Sequence, residues 1–528
     1  MAAVREPCDA GVILSGKGTR PCAETSGRWV LAATILASSM AFIDGTAVNV
    51  ALPYLQKSLN ATAIGVQWVV EGYSLFLSAL LLVGGSLGDR FGRRRIFCIG
   101  VAIFALASAG CGLSASIEQL IITRALQGVG GALLVPGSLA IISASFDEKR
   151  RGRAIGTWSG FSAITTAFGP VLGGWLIEHV SWRAVFFINV PIAVAVIVLS
   201  IWHVPESRDE TETGSLDWSG ALLATVGLGG VVFGLIESSR VGFAQPSVIG
   251  SLAVGLLAVG AFLFNERRAR NPMVPLRLFR RLDFAGANIL TLLLYAALSG
   301  AFFFVPLNLI QIQGYSATAA GAAILPFVLI MFLLSRWSGG LVDRLGARLP
   351  LVVGPLIAAG GFALFAWPAV SSNYWTSFFP PMIVMGLGMA ISVAPLTTTV
   401  MGSVPTEQSG VASGINNTVA RAAGLLAIAI LGVVMLQTFG TNLERRLAQI
   451  PVSDEVRKAI TDQRMRLAAV ELPANVDATQ KAAVQQVVTD SFISGFRLIV
   501  LIGAALAAMS AFSSWLLIGR KKVQRSAR

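Results

Sequence analysis

A short charged loop occurs twice in this chain, each time between two long apolar stretches. The first copy runs Gly85-Ser86-Leu87-Gly88-Asp89-Arg90-Phe91-Gly92-Arg93-Arg94-Arg95. The second runs Gly339-Gly340-Leu341-Val342-Asp343-Arg344-Leu345-Gly346-Ala347-Arg348. With Asp89 set on Asp343, Gly85 falls on Gly339, Leu87 on Leu341, Arg90 on Arg344, Gly92 on Gly346 and Arg94 on Arg348. A second set, Gly152, Ala154 and Gly156, recurs as Gly410, Ala412 and Gly414. The repeat predicts two membrane-embedded halves of common design, the build on which alternating access rests.

Composition agrees. Hydrophobic residues make up 55% of the chain and charged residues only 13%, about half the charged share of a soluble domain. Apolar stretches fall near 29–50, 66–88, 96–114, 117–144, 154–178, 184–203, 218–237, 247–265, 285–310, 318–338, 349–369, 375–401, 409–437 and 494–519. Each is close to the roughly twenty residues a bilayer requires, so the fold class is an all-α polytopic membrane protein with fourteen spans. Short alternating segments of the kind a barrel needs do not occur. The four cysteines, Cys8, Cys22, Cys98 and Cys111, have no metal or disulfide spacing.

Lys and Arg set the orientation. The face holding the termini and the repeated loop carries 27 of them, and the short loops of the other face only Lys57, Arg183 and Arg240. The positive-inside rule therefore places both termini in the cytoplasm. The net charge of +13 belongs to this asymmetry, and no nucleic acid is expected as partner. One outer loop, 441–490, is long and of mixed charge. It reads as a solvated loop with one or two short surface helices, or alternatively as a docking site for a periplasmic adaptor protein.

The two loop copies lie about 250 residues apart, whereas six spans with their loops need about 180–190. Two extra spans between the halves account for the surplus, giving a 6+2+6 order around a central cavity. The expected division is a cytoplasmic tail 1–28, a first six-helix bundle 29–203, an inserted pair with flanking loops 204–284, a second bundle 285–519 and a cytoplasmic tail 520–528.

Several motifs agree in order and spacing with one family. Asp44-Gly45-Thr46-Ala47-Val48-Asn49-Val50-Ala51-Leu52-Pro53 lies in the first span, the Gly85–Arg95 loop follows the second, and Arg124-Ala125-Leu126-Gln127-Gly128-Val129-Gly130-Gly131-Ala132 lies in the fourth. Gly156, Gly169, Pro170, Gly173 and Gly174 mark the fifth, and Asp217-Trp218-Ser219-Gly220-Ala221-Leu222-Leu223 opens the seventh. Taken together, these resemble the fourteen-span drug:proton antiporters of the major facilitator superfamily, over nearly the whole chain. The resemblance implies proton-coupled export of amphipathic small molecules from the cytoplasm. It departs at Thr165, where the family pattern has glycine, and in 318–338, which lacks the acid that exporters of divalent organic cations carry.

Ionisable side chains inside spans are costly and mark function. Asp44 and Arg124 are the expected proton-coupling pair, with a purely structural ion pair as the alternative. The candidate substrate cavity comprises Asn49, Gln67, Glu71, Tyr73, Gln127, Asn416, Asn417 and Arg421. Glu71 either binds a cationic substrate or hydrates at the outer interface, and Arg421 either touches substrate or bonds between helices. Gly85, Asp89, Arg90, Gly92 and Arg94 form an expected conformational latch, with Asp343 and Arg344 as its weaker counterpart. Gly169-Pro170 and Gly173-Gly174 predict a kinked, closely packed helix between the halves, which in the family goes with antiport.

The leading expectation is export of cationic or neutral drug-like compounds. A dedicated exporter of one metabolite, antibiotic or siderophore is the second, and a non-transporting receptor of the same fold the third. No ATP-binding loop, nucleophile triad or metal-ligand cluster occurs, so neither an enzyme nor a cofactor or metal is expected. The alanine-rich, cysteine-poor composition suggests a bacterial inner membrane.

Overall fold

In a bilayer every backbone N–H and C=O must be paired within its own segment, and a computed structural model of the chain accordingly consists of helices. It describes residues 24–208, 217–269, 272–368, 373–405, 408–472 and 477–519, with no strand among them. The first bundle contains α1 Gly27–Ser58, α2 Ala63–Phe91, α3 Arg93–Leu113, α4 Ile117–Ser145, α5 Arg150–His179 and α6 Ala184–His203. The inserted pair is α7 Trp218–Val241 and α8 Pro246–Arg268. The second bundle contains α9 Leu282–Ile312, α10 Ala317–Ser335, α11 Arg348–Leu364, α12 Tyr374–Gly402, α13 Gly410–Leu447 and α14 Ala478–Leu517. Cys8, Cys22 and the 520–528 tail lie outside the described residues.

Side-chain caps mark where many of these helices begin. Thr62, Ser116, Asp147, Asp217 and Asp477 each accept the backbone N–H three residues on, satisfying a donor that a helix start leaves unpaired. Helices of one bundle approach closely where glycine removes the side chain. A Cβ on Gly130 of α4 would stand 2.5 Å from the backbone nitrogen of Phe104 in α3. The inserted pair packs on itself and leans on the seam between the halves. Leu75 of α2 reaches Gly229 of α7, the Trp68 and Phe233 rings stand 6.1 Å apart, and α7 also meets α13.

Among the described residues, thirteen helices are long and apolar enough to cross a membrane. The fourteenth expected span, 349–369, is the shorter α11 of 17 residues. It stops at Leu364, before Trp367-Pro368, because proline disfavours helix at the residue preceding it.

The outer loop departs most from its expected form. α13 has 38 residues and α14 has 40, so each is about 57–60 Å long and overruns a hydrocarbon core of about 30 Å. Much of 441–490 is therefore helical continuation, tied by an Arg446–Asp490 ion pair at 3.0 Å. Between the two lie a short helix Asp454–Asp462 and a 3-10 turn Arg464–Ala469. Val456, Ile460 and Leu467 are buried against Leu443, Leu447 and Val484. The expected short helix is present and most described residues of the segment are exposed or partly so, but the segment also grips the first half. The Arg466 carbonyl accepts from Gln56 Nε2 at 2.9 Å, Gln56 in turn accepts from Gln311 at 2.9 Å, and the Arg466 guanidinium bonds Asn60.

Candidate functional site

Asp44 and Arg124 meet at the centre of the first bundle. Both are fully buried, and Arg124 Nη1 donates to Asp44 Oδ2 at 2.5 Å. Arg124 also donates to Gln127 Oε1 at 2.6 Å and to the Val69 carbonyl at 3.1 Å, and it lies 4.2 Å from the centre of the Tyr73 ring. The other carboxylate oxygen of Asp44 accepts from Gln127 Nε2 at 2.9 Å and from Asn189 Nδ2 at 3.5 Å. Ser108 closes the network, accepting from Asn189 at 2.9 Å and Gln127 at 3.2 Å. A buried ion pair is tolerated only when its remaining donors and acceptors are met in this way. Tyr73 and Gln127, placed with the substrate cavity by the sequence, belong to this network instead. Ser108 and Asn189 escaped the sequence reading, Asn189 being signalled only by an amide in an otherwise apolar run.

A cavity of about 2470 Å³ lies between the bundles and opens at the basic face, where Asp89, Arg90, Arg277 and Arg280 line its rim. Further in, Phe42, Leu82 and Trp158 of the first half face Asn417 and Arg421 of the second. Of the eight candidate cavity residues, Asn417 and Arg421 line it. Asn49 bonds its own helix at the Gly45 carbonyl, and Gln67 donates across the seam to the Ile428 carbonyl at 3.1 Å. Asn416 ties α13 to α9 through Asn288 at 3.2 Å and Thr291 at 2.7 Å. Glu71 is fully buried, with neither carboxyl oxygen hydrogen-bonded. Asp217 sits outside the membrane at the head of α7. Burial raises its pKa, but the Gly220 N–H and the Ser219 and Asn265 side chains outweigh that and hold it below the ordinary aspartate range.

On the opposite face α5 closes the seam. Gly169 and Gly173 abut α1 at Thr46 and Ala47, while Gly174 abuts the Ala317 carbonyl group of α10. Gly321 of α10 in turn abuts the Pro170 carbonyl, and Glu178 accepts from Thr318 Oγ1 at 2.5 Å. Gly156 takes no part, having open space around it, and Thr165 bonds its own helix at Ser162.

The charged loop is organised within the first half. Asp89 accepts from Arg93 at 2.7 Å, while Arg94 donates to the Val204 carbonyl at 3.0 Å. Gly92, at φ +106°, turns the chain. Directly beside it the Glu206 carboxylate accepts the Arg94 and Arg95 backbone N–H groups at 3.0 and 3.2 Å, an anion on the positive end of α3. Asp343 and Arg344 are exposed and form no ion pair among the described residues. Glu206 and Arg93 were missed by the sequence reading; an acid directly after span six, facing four arginines, was the available signal. Glu206→Ala is expected to cost about 1–2 kcal/mol, read as a lower thermal midpoint of the purified protein. An unchanged midpoint would remove Glu206 from the loop's support.

Two helical bundles of repeated design, with a cavity between them open at one face and sealed at the other, define a membrane transport protein. The chain matches the family model described as Major Facilitator Superfamily over residues 34–428, and it belongs to that superfamily. It is 34% identical over 502 residues to the tetracenomycin C resistance and export protein of Streptomyces glaucescens, covering 94% of this chain and 93% of the relative. It is 32% identical to the multidrug resistance protein Stp of Mycobacterium tuberculosis, covering 92% and 91%. Among solved structures, a bacterial homolog of the human lysosomal transporter Spinster superposes with a TM-score of 0.65 at 16% identity, covering 93% of this chain and 98% of that one. That likeness concerns the fold.

Proposed function

We propose that this protein is a proton-coupled antiporter that exports amphipathic small molecules by alternating access, with its basic face in the cytoplasm. Its relatives are named for tetracenomycin C resistance and export, multidrug resistance, puromycin resistance and cephamycin export. The reading is of a secondary transporter in an inner membrane, with no reaction on its substrate. The observation that carries the coupling is the Asp44–Arg124 pair. It is a buried carboxylate outside the cavity lining, held by donors from two helices, α4 and α6.

The pair works as follows. With the cavity open to the cytoplasm, Asp44 is the carboxylate that Arg124 holds. Once the cavity has turned outward and substrate leaves, a proton from that side neutralises Asp44 and frees Arg124 to its Gln127 and Val69 contacts. Helices α1 and α4 then pack without their mutual charge attraction, favouring return to the arrangement open at the basic face. Loss of the proton there restores the ion pair. Each charge moved through 100 mV supplies about 2.3 kcal/mol. Asp89, Arg90 and Arg94 are the proposed latch of the basic face, closing it when the halves turn outward. Names of single antibiotics among the relatives favour, as a second reading, a dedicated exporter.

Purified protein in proteoliposomes is expected to drive efflux of members of a panel of cationic, neutral and anionic fluorescent compounds only under an imposed pH gradient. Asp44→Asn is expected to abolish that dependence while remaining folded and inserted. Undiminished gradient-driven efflux by Asp44→Asn would take Asp44 out of the mechanism.

A further inference from the structure

Arg421 lies about 16 Å along α13 from the basic face, counting eleven residues from Gly410 at 1.5 Å each. Its guanidinium lines the cavity, yet it makes no hydrogen bond or ion pair among the described residues. The nearby acids are engaged elsewhere or lie out of the cavity. Asp44 is held by Arg124, Asp89 by Arg93, Asp217 by the Gly220 N–H and Asn265, and Glu266 by the Val274 N–H. Glu71 does not line the cavity. Among the described residues, Tyr73 is the ionisable neighbour in electrostatic range. A guanidinium at membrane depth is costly without a counter-charge, and the protein supplies none here.

Arg421 is partly exposed to the open cavity, where water solvates it between ligands, so an anionic ligand entering the cavity is the counter-charge this site accepts. The same cavity wall includes Phe42, Leu82 and Trp158, and Asn417 lines it one turn before Arg421 on the same helix. Apolar and aromatic walls bind the body of a ligand, and a few polar groups fix its orientation. The planar fork of arginine matches a carboxylate in particular and is the strong form of hydrogen bonding to an anionic oxygen. We infer that the transported substrate is an amphipathic organic anion, an aromatic body carrying a carboxylate, phenolate or enolate, whose charged oxygen pairs with Arg421. This rests on the reading of the cavity as the substrate chamber of an exporter. It replaces the cationic or neutral substrate that sequence alone suggested, because a cation here would meet an unpaired like charge.

Binding of 1-pyrenebutyrate, 1-pyrenebutanol and 1-pyrenemethylammonium to the full chain in phosphatidylcholine nanodiscs tests this directly. Pyrenebutyrate is expected to bind about tenfold or more tighter than pyrenebutanol, the factor one charge-assisted bond of about 1.4 kcal/mol confers. The cation is expected to bind weakest. Arg421→Gln is expected to erase the preference for the anion. Asn417→Asp should do the same with Arg421 in place, since its carboxylate lies four residues earlier and can pair with the guanidinium. Equal binding of anion and alcohol, tightest binding of the cation, or a preference that survives both variants overturns the inference. So does loss of the preference in phosphatidylglycerol nanodiscs, which would make a lipid headgroup the occupant. Gradient-driven efflux of the same probes is read separately. Efflux without preference sinks the anion site alone, and preference without efflux sinks the exporter reading alone.

Discussion

Arg124→Ala is expected to abolish gradient-driven efflux and to destabilise the protein by about 3–5 kcal/mol, the cost of removing one partner of a buried ion pair. The reason is the completeness of its surroundings. Without the guanidinium, Asp44 keeps only the Gln127 and Asn189 amides, and the Gln127 oxygen keeps only the weak Cys111 thiol donor at 3.7 Å. A carboxylate in that position has no counter-charge. The double variant Arg124→Ala, Asp44→Asn removes the stranded charge, so it is expected to regain most of the stability and none of the transport. Thermal unfolding of purified protein reads the first quantity and proteoliposome efflux the second. A double variant as unstable as Arg124→Ala would mean that the lost packing against Tyr73 and Phe186, rather than the charge, carries the cost.

What could be read from the chain follows from how strongly each residue violates its surroundings. Asp44 and Arg124 stood out because charges inside apolar spans are expensive, whatever their neighbours. Ser108 and Asn189 did not, since an uncharged polar side chain in a span finds partners on many faces and the sequence does not say which. Asn416 and Asn417 look alike as neighbours, but 100° of helix rotation sends one to Asn288 and the other to the cavity. The repeat told of two related halves; it could not tell that the second loop copy leaves Asp343 and Arg344 exposed, with no ion pair among the described residues. Charge in 441–490 suggested solvent, and it hid the valines of 484, 487 and 488, whose helical spacing buries them in the core. The glycines of α5 were legible as a set, whereas their division of labour was not, with Gly156 open and Gly174 in contact with the second half.

That contact carries the second large effect. A Cβ on Gly174 would stand 2.6 Å from the Ala317 carbonyl carbon and 2.8 Å from the Thr318 Cα, and Gly321 makes the reciprocal approach to the Pro170 carbonyl group. Backbone is met on both sides, so no rotamer change relieves the overlap. Gly174→Val is therefore expected to pry α5 from α10 at the sealed face, opposing the arrangement in which the cavity opens at the basic face. Overpacking of this kind costs about 2–3 kcal/mol, enough to cut that arrangement's population by roughly 30- to 150-fold without unfolding a bundle held by many other contacts. Efflux should fall by a comparable factor. Labelling should follow it: in a background without the native cysteines, Asn417→Cys is expected to lose reactivity toward an impermeant maleimide added at the basic face. Gly160→Val, on the same helix with open space around it, is expected to change neither. If Gly174→Val labels and transports like the parent protein, the α5–α10 seam does not have to close for transport, and the alternation must be sought at the α2–α13 seam instead.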